Sequence, residues 1–164
     1  MSIHLRPTEI SDLDFVVSAE RADDNRPFIT QWTKEQHQRA LHDSDHLHLI
    51  LCTDTAHRVG YAILQGLTSH NQSAQLRRLV VTEKGRGYGR IALRLLKALA
   101  FEDLHLHRFW LDVKDFNHRA FHLYKAEGFT IEGTLRECEK VGDRYESLIL
   151  LSMLDREYFS RSGP

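Results

Sequence analysis

The chain is short of the residues that mark special architectures. Its two cysteines, Cys52 and Cys138, are too few and too far apart in 164 residues for a disulfide framework or a zinc knuckle. Their strand-like flanks suit buried, reduced thiols. Three prolines and nine glycines form no Pro/Gly/Ser linker, and no tract is repeated or of low complexity. Unbroken apolar runs such as Tyr61–Leu64 and Leu148–Leu151 stop at four residues, whereas a membrane helix needs about 20. His4, Arg6, Glu9 and Asp12 occupy the stretch where a secretory leader would be apolar, so a cytoplasmic setting without a membrane partner is expected. An excess of one charge is missing too: Lys plus Arg is 22 and Asp plus Glu 23, a net −1. With no basic patch interleaved with aromatics, nucleic acid is not an expected partner, and any anion site must be local.

What remains is the make-up of an ordinary folded protein, 41% hydrophobic and 27% charged, which suits one domain spanning residues 1–164. Ile3–Arg6 reads as a short strand, and Ser11–Asp14 caps a helix through Phe15–Ala19 that gives way to a polar loop as far as Pro27. Thr33-Lys34-Glu35-Gln36 fits a capping box opening a second helix to about His42. His46–Thr53, Arg58–Leu67 and Ala74–Val81 follow as strands suited to an antiparallel meander. Arg90–Leu104 sets Ile91, Leu95, Ala98 and Leu99 opposite Arg90, Arg94 and Lys97, an amphipathic helix whose outer two cations are expected in solvent. Arg108–Val113 is a strand. Asn117–Glu127 is a helix capped by Asn117, with Phe116 and Phe121 spaced for a hydrophobic staple and Gly128 at its C-terminal stop. Phe129–Leu135 and Tyr145–Leu154 then form two strands around a turn at Gly142-Asp143. The order βααβββαβαββ predicts an α/β domain, antiparallel early and with strand–helix–strand crossovers later.

Chemistry concentrates in Lys84-Gly85-Arg86-Gly87-Tyr88-Gly89-Arg90, between the strand ending at Val81 and the helix that begins near Gly89. A strand that turns through glycines into a helix gathers unpaired backbone N–H groups and the positive end of the helix dipole at one point, which suits a phosphate. Glycine lets oxygens approach the backbone, and Lys84, Arg86 and Arg90 add positive charge. The spacing excludes two familiar nucleotide loops. A G-x-G-x-x-G fingerprint beginning at Gly85 needs glycine where Arg90 stands, and no Gly-Lys-Ser/Thr completes a P-loop. The bland alternative is a flexible loop that happens to precede a helix. The eleven histidines form no HExxH motif, and their i, i+2 pairs lack a cysteine or clear carboxylate partner, so no metal is expected.

Lys84-x-x-Gly87-x-Gly89 resembles the [Arg/Gln]-x-x-Gly-x-[Gly/Ala] pyrophosphate loop of the GNAT N-acetyltransferase superfamily, with Lys in place of Arg or Gln. Asn117-x-Arg119-Ala120-x-x-x-Tyr124-x-x-x-Gly128-Phe129 resembles the family's second signature. Glu132–Glu137 and Gly142–Tyr145 are similar to the C-terminal hairpin of the branch that holds ribosomal-protein N-terminal and polyamine acetyltransferases. The resemblance spans roughly Arg58 to Leu154, and loosely the residues before. It implies a mixed sheet of about seven strands, antiparallel in its N-terminal half, with a splayed central strand pair and about four helices.

The same resemblance implies acetyl-CoA as co-substrate and a role for each signature residue. The splayed strands would be Gln75–Val81 and Arg108–Val113. Leu79, Val80 and Val81 would offer backbone hydrogen bonds to the pantetheine arm, and Lys84, Gly85, Arg86, Gly87, Tyr88, Gly89 and Arg90 would hold the pyrophosphate. Asn117 would reach the cofactor arm as well as capping its helix. Tyr124 would be the general acid that protonates the departing thiolate; otherwise it is a core aromatic on the Ala120–Leu123–Tyr124 face. The attacking amine must also lose a proton. At pH 7 this costs about 4.6 kcal/mol for a lysine-like amine of pKa ~10.4 and about 1 kcal/mol for an α-amino group near 7.8. Asp112 stands where some relatives that acetylate protein N-termini carry an acidic base; Glu20, Glu137 or a water chain on backbone carbonyls are the alternatives. Glu20, Asp23 and Asp24 form an acidic run in the loop between the first two helices, near Phe28 and Trp32, where the family builds its acceptor pocket. Glu20, Asp23 and Trp32 are the expected acceptor contacts. The expected activity is direct transfer of acetyl to a primary amine. The acceptor is a small amine or polyamine, which the acidic run favours, or a protein N-terminus, and a homodimer is expected on family grounds. The alternative of another class is a module that binds coenzyme A as a sensor or structural ligand without transferring acetyl.

Overall fold

A computed structural model describes residues 2–161. Its framework is a seven-stranded mixed sheet ordered β1-β2-β3-β4-β5-β7-β6. The strands are β1 (Ile3–Pro7), β2 (His46–Thr53), β3 (Arg58–Gln65), β4 (Ser73–Val81), β5 (Arg108–Lys114), β6 (Thr130–Val141) and β7 (Arg144–Leu154). β1 to β4 pair antiparallel, as expected; β4 and β5 are parallel, and β7 pairs antiparallel with both β5 and β6. Because successive strand side chains point to opposite faces, the sheet feeds two cores. Leu49, Leu51, Ala62 and Leu64 pack with Ala92, Leu93 and Leu96 of α3 (Tyr88–Ala98), and Tyr124 of α4 (His118–Ala126) joins them. Ile50, Cys52, Tyr61 and Ile63 pack instead with Val16 and Ala19 of α1 (Leu13–Arg21). The capping box of α2 (Lys34–Leu41) forms as read, Thr33 and Gln36 each accepting from the other's backbone N–H.

The strand pair β4 and β5 shares three residue pairs, Ser73–Arg108, Ala74–Phe109 and Gln75–Trp110, and then parts. A β-bulge sits just beyond: Leu76 opposes Leu64 and Arg78 opposes Ile63, leaving Arg77 as the extra residue. The bulge exchanges the faces of the strand. Ala74 and Leu76 join the larger core and so do Leu79 and Val81, whereas Val80 enters the smaller one; strict alternation would have kept Leu76 and Val80 together. A bulge adds bend and twist, which turns β4 away from β5 and makes the splay.

The structure departs from the sequence reading at four points. β6 runs on to Val141 through the charged run Arg136–Lys140, because its partner β7 supplies the hydrogen bonds and an edge strand needs no apolar face; Glu137 at φ +49° marks a bulge within it. A fifth helix, α5 (Asp155–Arg161), has no buried residue and so no readable periodicity; Tyr158 anchors it by stacking on Phe101, ring centroids 5.0 Å apart. The helix read as Arg90–Leu104 begins at Tyr88 and passes into a π-helical stretch at Leu99–Asp103. Cys52 is buried as expected, but Cys138 is exposed on β6.

α3 and α4 are tied by one carboxylate. Glu127, the C-cap of α4, accepts from Arg90 Nη1 at 2.5 Å, Arg94 Nε at 3.0 Å and Lys97 Nζ at 3.3 Å, and its carbonyl takes Lys97 Nζ at 2.8 Å. Lys97 is therefore buried rather than solvated, while Arg94 keeps most of its side chain in water. Burial opposes ionisation of Glu127, but hydrogen bonds from Arg94, Arg90 and Lys97 outweigh it and pull the carboxyl down from the usual 4.5 to about 2. Glu127→Ala strands Lys97 as a buried, unpaired cation and is expected to cost about 3 kcal/mol in urea unfolding. The carboxyl is lowered in the fold, so its contribution is complete above pH 4.5 and drains away as pH falls towards 2. An unchanged unfolding midpoint would show that the tie contributes nothing.

Candidate active site

The parted strands open on a cleft of about 930 Å³, walled by β4, β5, the glycine loop, the start of α4 and the loop between α1 and α2. At its mouth Gly85 and Gly87 adopt φ of +77° and +78°, with open space where a β-carbon would stand. The backbone conformation, not crowding, requires glycine there. Gly87 is the N-cap of α3, whose first intrahelical bond is Ile91 N–H to Gly87 O at 3.2 Å. The turn before it thus stands at the positive end of the helix, where backbone amides lack intrahelical partners, and lines the cleft. Lys84 lines the same wall and donates to Asn25 Oδ1 at 2.5 Å; burial lowers its pKa, and Asp24 opposes that. Arg90 also lines the cleft, with its guanidinium held by Glu127, whereas Arg86 pairs with Glu83 at 3.3 Å outside it. Leu79, Val80, Val81, Tyr88, Gly89 and Asn117 are all on the cleft wall.

Both ends of α4 fix where Tyr124 falls. The Asn117 side chain accepts from Ala120 N–H at 3.3 Å. At the other end Gly128, at φ +100°, donates to Lys125 O at 3.1 Å and Phe129 N–H donates to Tyr124 O at 3.0 Å. This is the paired bonding of a Schellman stop, and the Tyr124 and Phe129 rings meet at 6.0 Å inside it. Phe116, spaced for a staple, lays its ring against Phe28 at 5.7 Å. Tyr124 is buried at the inner end of the cleft. Burial, with a smaller effect of the Asp112 charge, pushes its hydroxyl up to about 12, so it holds its proton through the physiological range. Asp112 stands across the fork on β5, with Gln75 Nε2 3.5 Å from its Oδ2 just at the last shared rung. Burial raises its pKa, against the pull of Arg77.

The acidic run behaves otherwise than its sequence suggested. Glu20 lies in the last turn of α1, not in a loop, and is fully buried away from the cleft. His37 Nε2 lies 2.7 Å and the Tyr61 hydroxyl 2.5 Å from its Oε1, and Trp32 N–H donates to Oε2 at 3.1 Å. Asp23 is exposed and paired with Arg26 at 2.7 Å. Trp32 packs behind the wall, while Asp24 and Phe28 line the cleft itself. Glu137 is exposed on β6 and does not line it. The cleft adds Asn25, Arg77, Arg78, Lys114 and Glu139, which sequence reasoning passed over; only the Arg-Arg doublet inside an apolar strand offered a signal. Among the described residues no group of three or more His, Cys, Asp or Glu is placed to hold a metal ion, and no helix is long and apolar enough to cross a membrane.

An amide-lined turn at the mouth of a forked sheet, with a protonated phenol and a raised carboxyl at its inner end, has the parts of an acyl-transfer enzyme. The chain belongs to the acetyltransferase (GNAT) family, whose model matches residues 13–129. It is 25% identical over 169 residues to the spermidine N(1)-acetyltransferase of Vibrio cholerae serotype O1, covering 96% of each chain. The fold superposes on a spermidine N-acetyltransferase from Vibrio cholerae in complex with CoA and spermine with a TM-score of 0.87 at 22% identity, over 96% of this chain and 98% of that one. A dodecameric structure of the spermidine N-acetyltransferase from that organism gives 0.83 at 24% identity, over 98% of each chain.

Gly87→Ala forces a side chain into the left-handed region at a cost of about 1–2 kcal/mol. Coenzyme A binding, measured by calorimetry, is expected to weaken by about ten-fold; unaltered affinity would remove this turn from the binding site.

Proposed function

We propose that the protein transfers acetyl from acetyl-CoA to a primary amine by direct attack, without a covalent enzyme intermediate. The observation that carries this reading is the fork. Beyond Gln75 the inner edge of β4 has no partner strand among the described residues, and at its far end the glycine turn leads into a helix N-terminus. In this reading the backbone of Leu79, Val80 and Val81 pairs with the pantetheine arm, as a missing strand would. The amides from Gly85 to Arg90 with Lys84 take the pyrophosphate, and Asn117 supports the arm. Family membership and the CoA-bound relative support the co-substrate.

Asp112 takes a proton from the acceptor ammonium, a role that its raised pKa suits. The neutral nitrogen bonds to the thioester carbon, the C–S bond breaks as the Tyr124 hydroxyl gives its proton to the leaving sulfur, and the second proton of the new amide nitrogen passes to the Tyr124 phenolate, which restores the acid. A phenol at about 12 is a weak acid, but part of that elevation is the Asp112 charge. The acceptor is a small amine, of which the relatives' spermidine is one kind, or a peptide N-terminus. Asp24 and Phe28 border its path, with Glu20 and Trp32 supporting the wall from behind. The unpartnered edge of β6, with Ile131, Leu135 and Val141 exposed, and the dodecameric relative support self-assembly.

Thiol release over a panel of amines tests the transfer. Tyr124→Phe is expected to lower kcat by about 10²–10⁴-fold with coenzyme A affinity unchanged; an unaltered rate would remove Tyr124 from the chemistry. Coenzyme A at 1,000 times its Kd is expected to raise unfolding free energy by about 4.1 kcal/mol. That stabilisation without thiol release from any amine would favour the non-catalytic module.

A further inference from the structure

Asn25 sits where the two sides of the cleft meet. It is 4% exposed, and every polar group it has is engaged. On the backbone its N–H donates to Ala22 O at 2.9 Å, and its carbonyl accepts from Phe28 N–H at 3.0 Å. Its side-chain amide donates to Ala19 O at 2.9 Å and to Val81 O at 3.4 Å, while its Oδ1 accepts from Lys84 Nζ at 2.5 Å. The amide cannot be turned round, because that would set its oxygen against two carbonyls and its N–H groups against an ammonium.

Two of these partners lie on the path proposed for the cofactor. Thr82 N–H donates to Val59 O, so Thr82 faces β3. Successive residues of an antiparallel strand alternate in the direction of their backbone hydrogen bonds. Val81 therefore faces the open edge of the fork, and Asn25 covers its carbonyl there. Three residues further on, Lys84 opens the glycine turn. The Asn25 side chain thus stands at the corner where, in the reading above, the arm along β4 gives way to the diphosphate. On its other side Asn25 carries the acceptor-side loop. It is the N-cap of a short 3-10 turn, Arg26–Phe28, and the Phe28 ring meets Phe116, another residue of the cleft wall, at 5.7 Å.

A lysine ammonium has three N–H donors. One is spent on Asn25, the one hydrogen-bond partner of Lys84 among the described residues, and two remain. We infer that Asn25 is a positioning residue for the cofactor: it holds the Lys84 ammonium at the corner with two donors left for the diphosphate, and through that ammonium the diphosphate steadies the acceptor-side loop, residues 22–30. The inference rests on the coenzyme A reading of the cleft given above. A free lysine loses rotamer freedom when a ligand immobilises it; one already held by Asn25 loses less, which favours binding. The linkage is reciprocal, so a loop that the diphosphate steadies favours the diphosphate in turn.

Calorimetry of coenzyme A, and of pantetheine, which lacks the diphosphate, tests the first half on the wild type, Asn25→Ala, Lys84→Gln and the double variant. Each single variant is expected to weaken coenzyme A by about ten-fold and to leave pantetheine unchanged, with the double variant no weaker than Lys84→Gln. Hydrogen exchange tests the second half. The amides of Asn25 and Phe28 are expected to exchange about ten-fold more slowly when coenzyme A saturates the wild type, and at an unchanged rate when it saturates Lys84→Gln. Asn25 is buried and its variant risks misfolding, so the exposed Lys84 carries the exchange test alone. Additive losses in the double variant, an equal loss for pantetheine, or the same slowing in Lys84→Gln would overturn the inference and leave the cofactor site standing. If coenzyme A does not bind the wild type, the reading of the cleft fails and the inference falls with it.

Discussion

Hydrogen bonding between β4 and β5 ends after three residue pairs, at Gln75 and Trp110, and the site is organised around the ladder that does not form. Backbone N–H and C=O groups left unpaired inside a protein cost about 1–3 kcal/mol each, so an open seam in the middle of a sheet is stable only where water or a ligand can fill it. The seam lies between the glycine turn and the inner pair Tyr124 and Asp112. One gap thus sets the shape of the cleft, and in the proposed reading also the direction of the cofactor arm and the place of the thioester.

The elements around the gap keep it open. The bulge at Arg77 turns β4 aside, and Glu127 fixes α3 to α4 so that the amide turn and the phenol are carried by one rigid pair of helices. Asn25 links the third side: its side chain donates to Ala19 O at 2.9 Å and Val81 O at 3.4 Å and accepts from Lys84. The loop from the acceptor side is thereby fastened to the end of β4 and to the glycine turn. Except for Asn25 to Ala19, these ties join residues far apart in sequence, which is how a local opening survives in an otherwise well-packed α/β fold.

That dependence on distant partners also explains what could be read in advance. The ends of α4 were legible because Asn117 and Gly128 act on their own neighbours, and so were the Thr33–Gln36 box and the positive-φ glycines of the turn. These local signals placed Tyr124 on its helix and the glycine turn before α3. The bulge was hidden because the Arg77-Arg78 doublet does not say which residue of Ser73–Val81 is extra, and only the register against β3 shows it to be Arg77. Glu20 read as an acceptor contact in a loop, whereas the fold buries it in α1. Its burial is tolerable because His37 and Tyr61, 17 and 41 residues away, hydrogen-bond it. Lys97 was misread for the same reason, its partner Glu127 lying 30 residues on. The charged half of β6 carries no apolar alternation because an edge strand paired only to β7 does not need one.

The central claim is that the open seam is the cofactor's place, and a structure determined with coenzyme A bound tests it most directly. The account predicts the diphosphate on the amides between Gly85 and Arg90, with the pantetheine arm extended beside Leu79, Val80 and Val81 and its sulfur near Tyr124. A diphosphate bound elsewhere, or β4 and β5 closed upon each other along their full length, would contradict it.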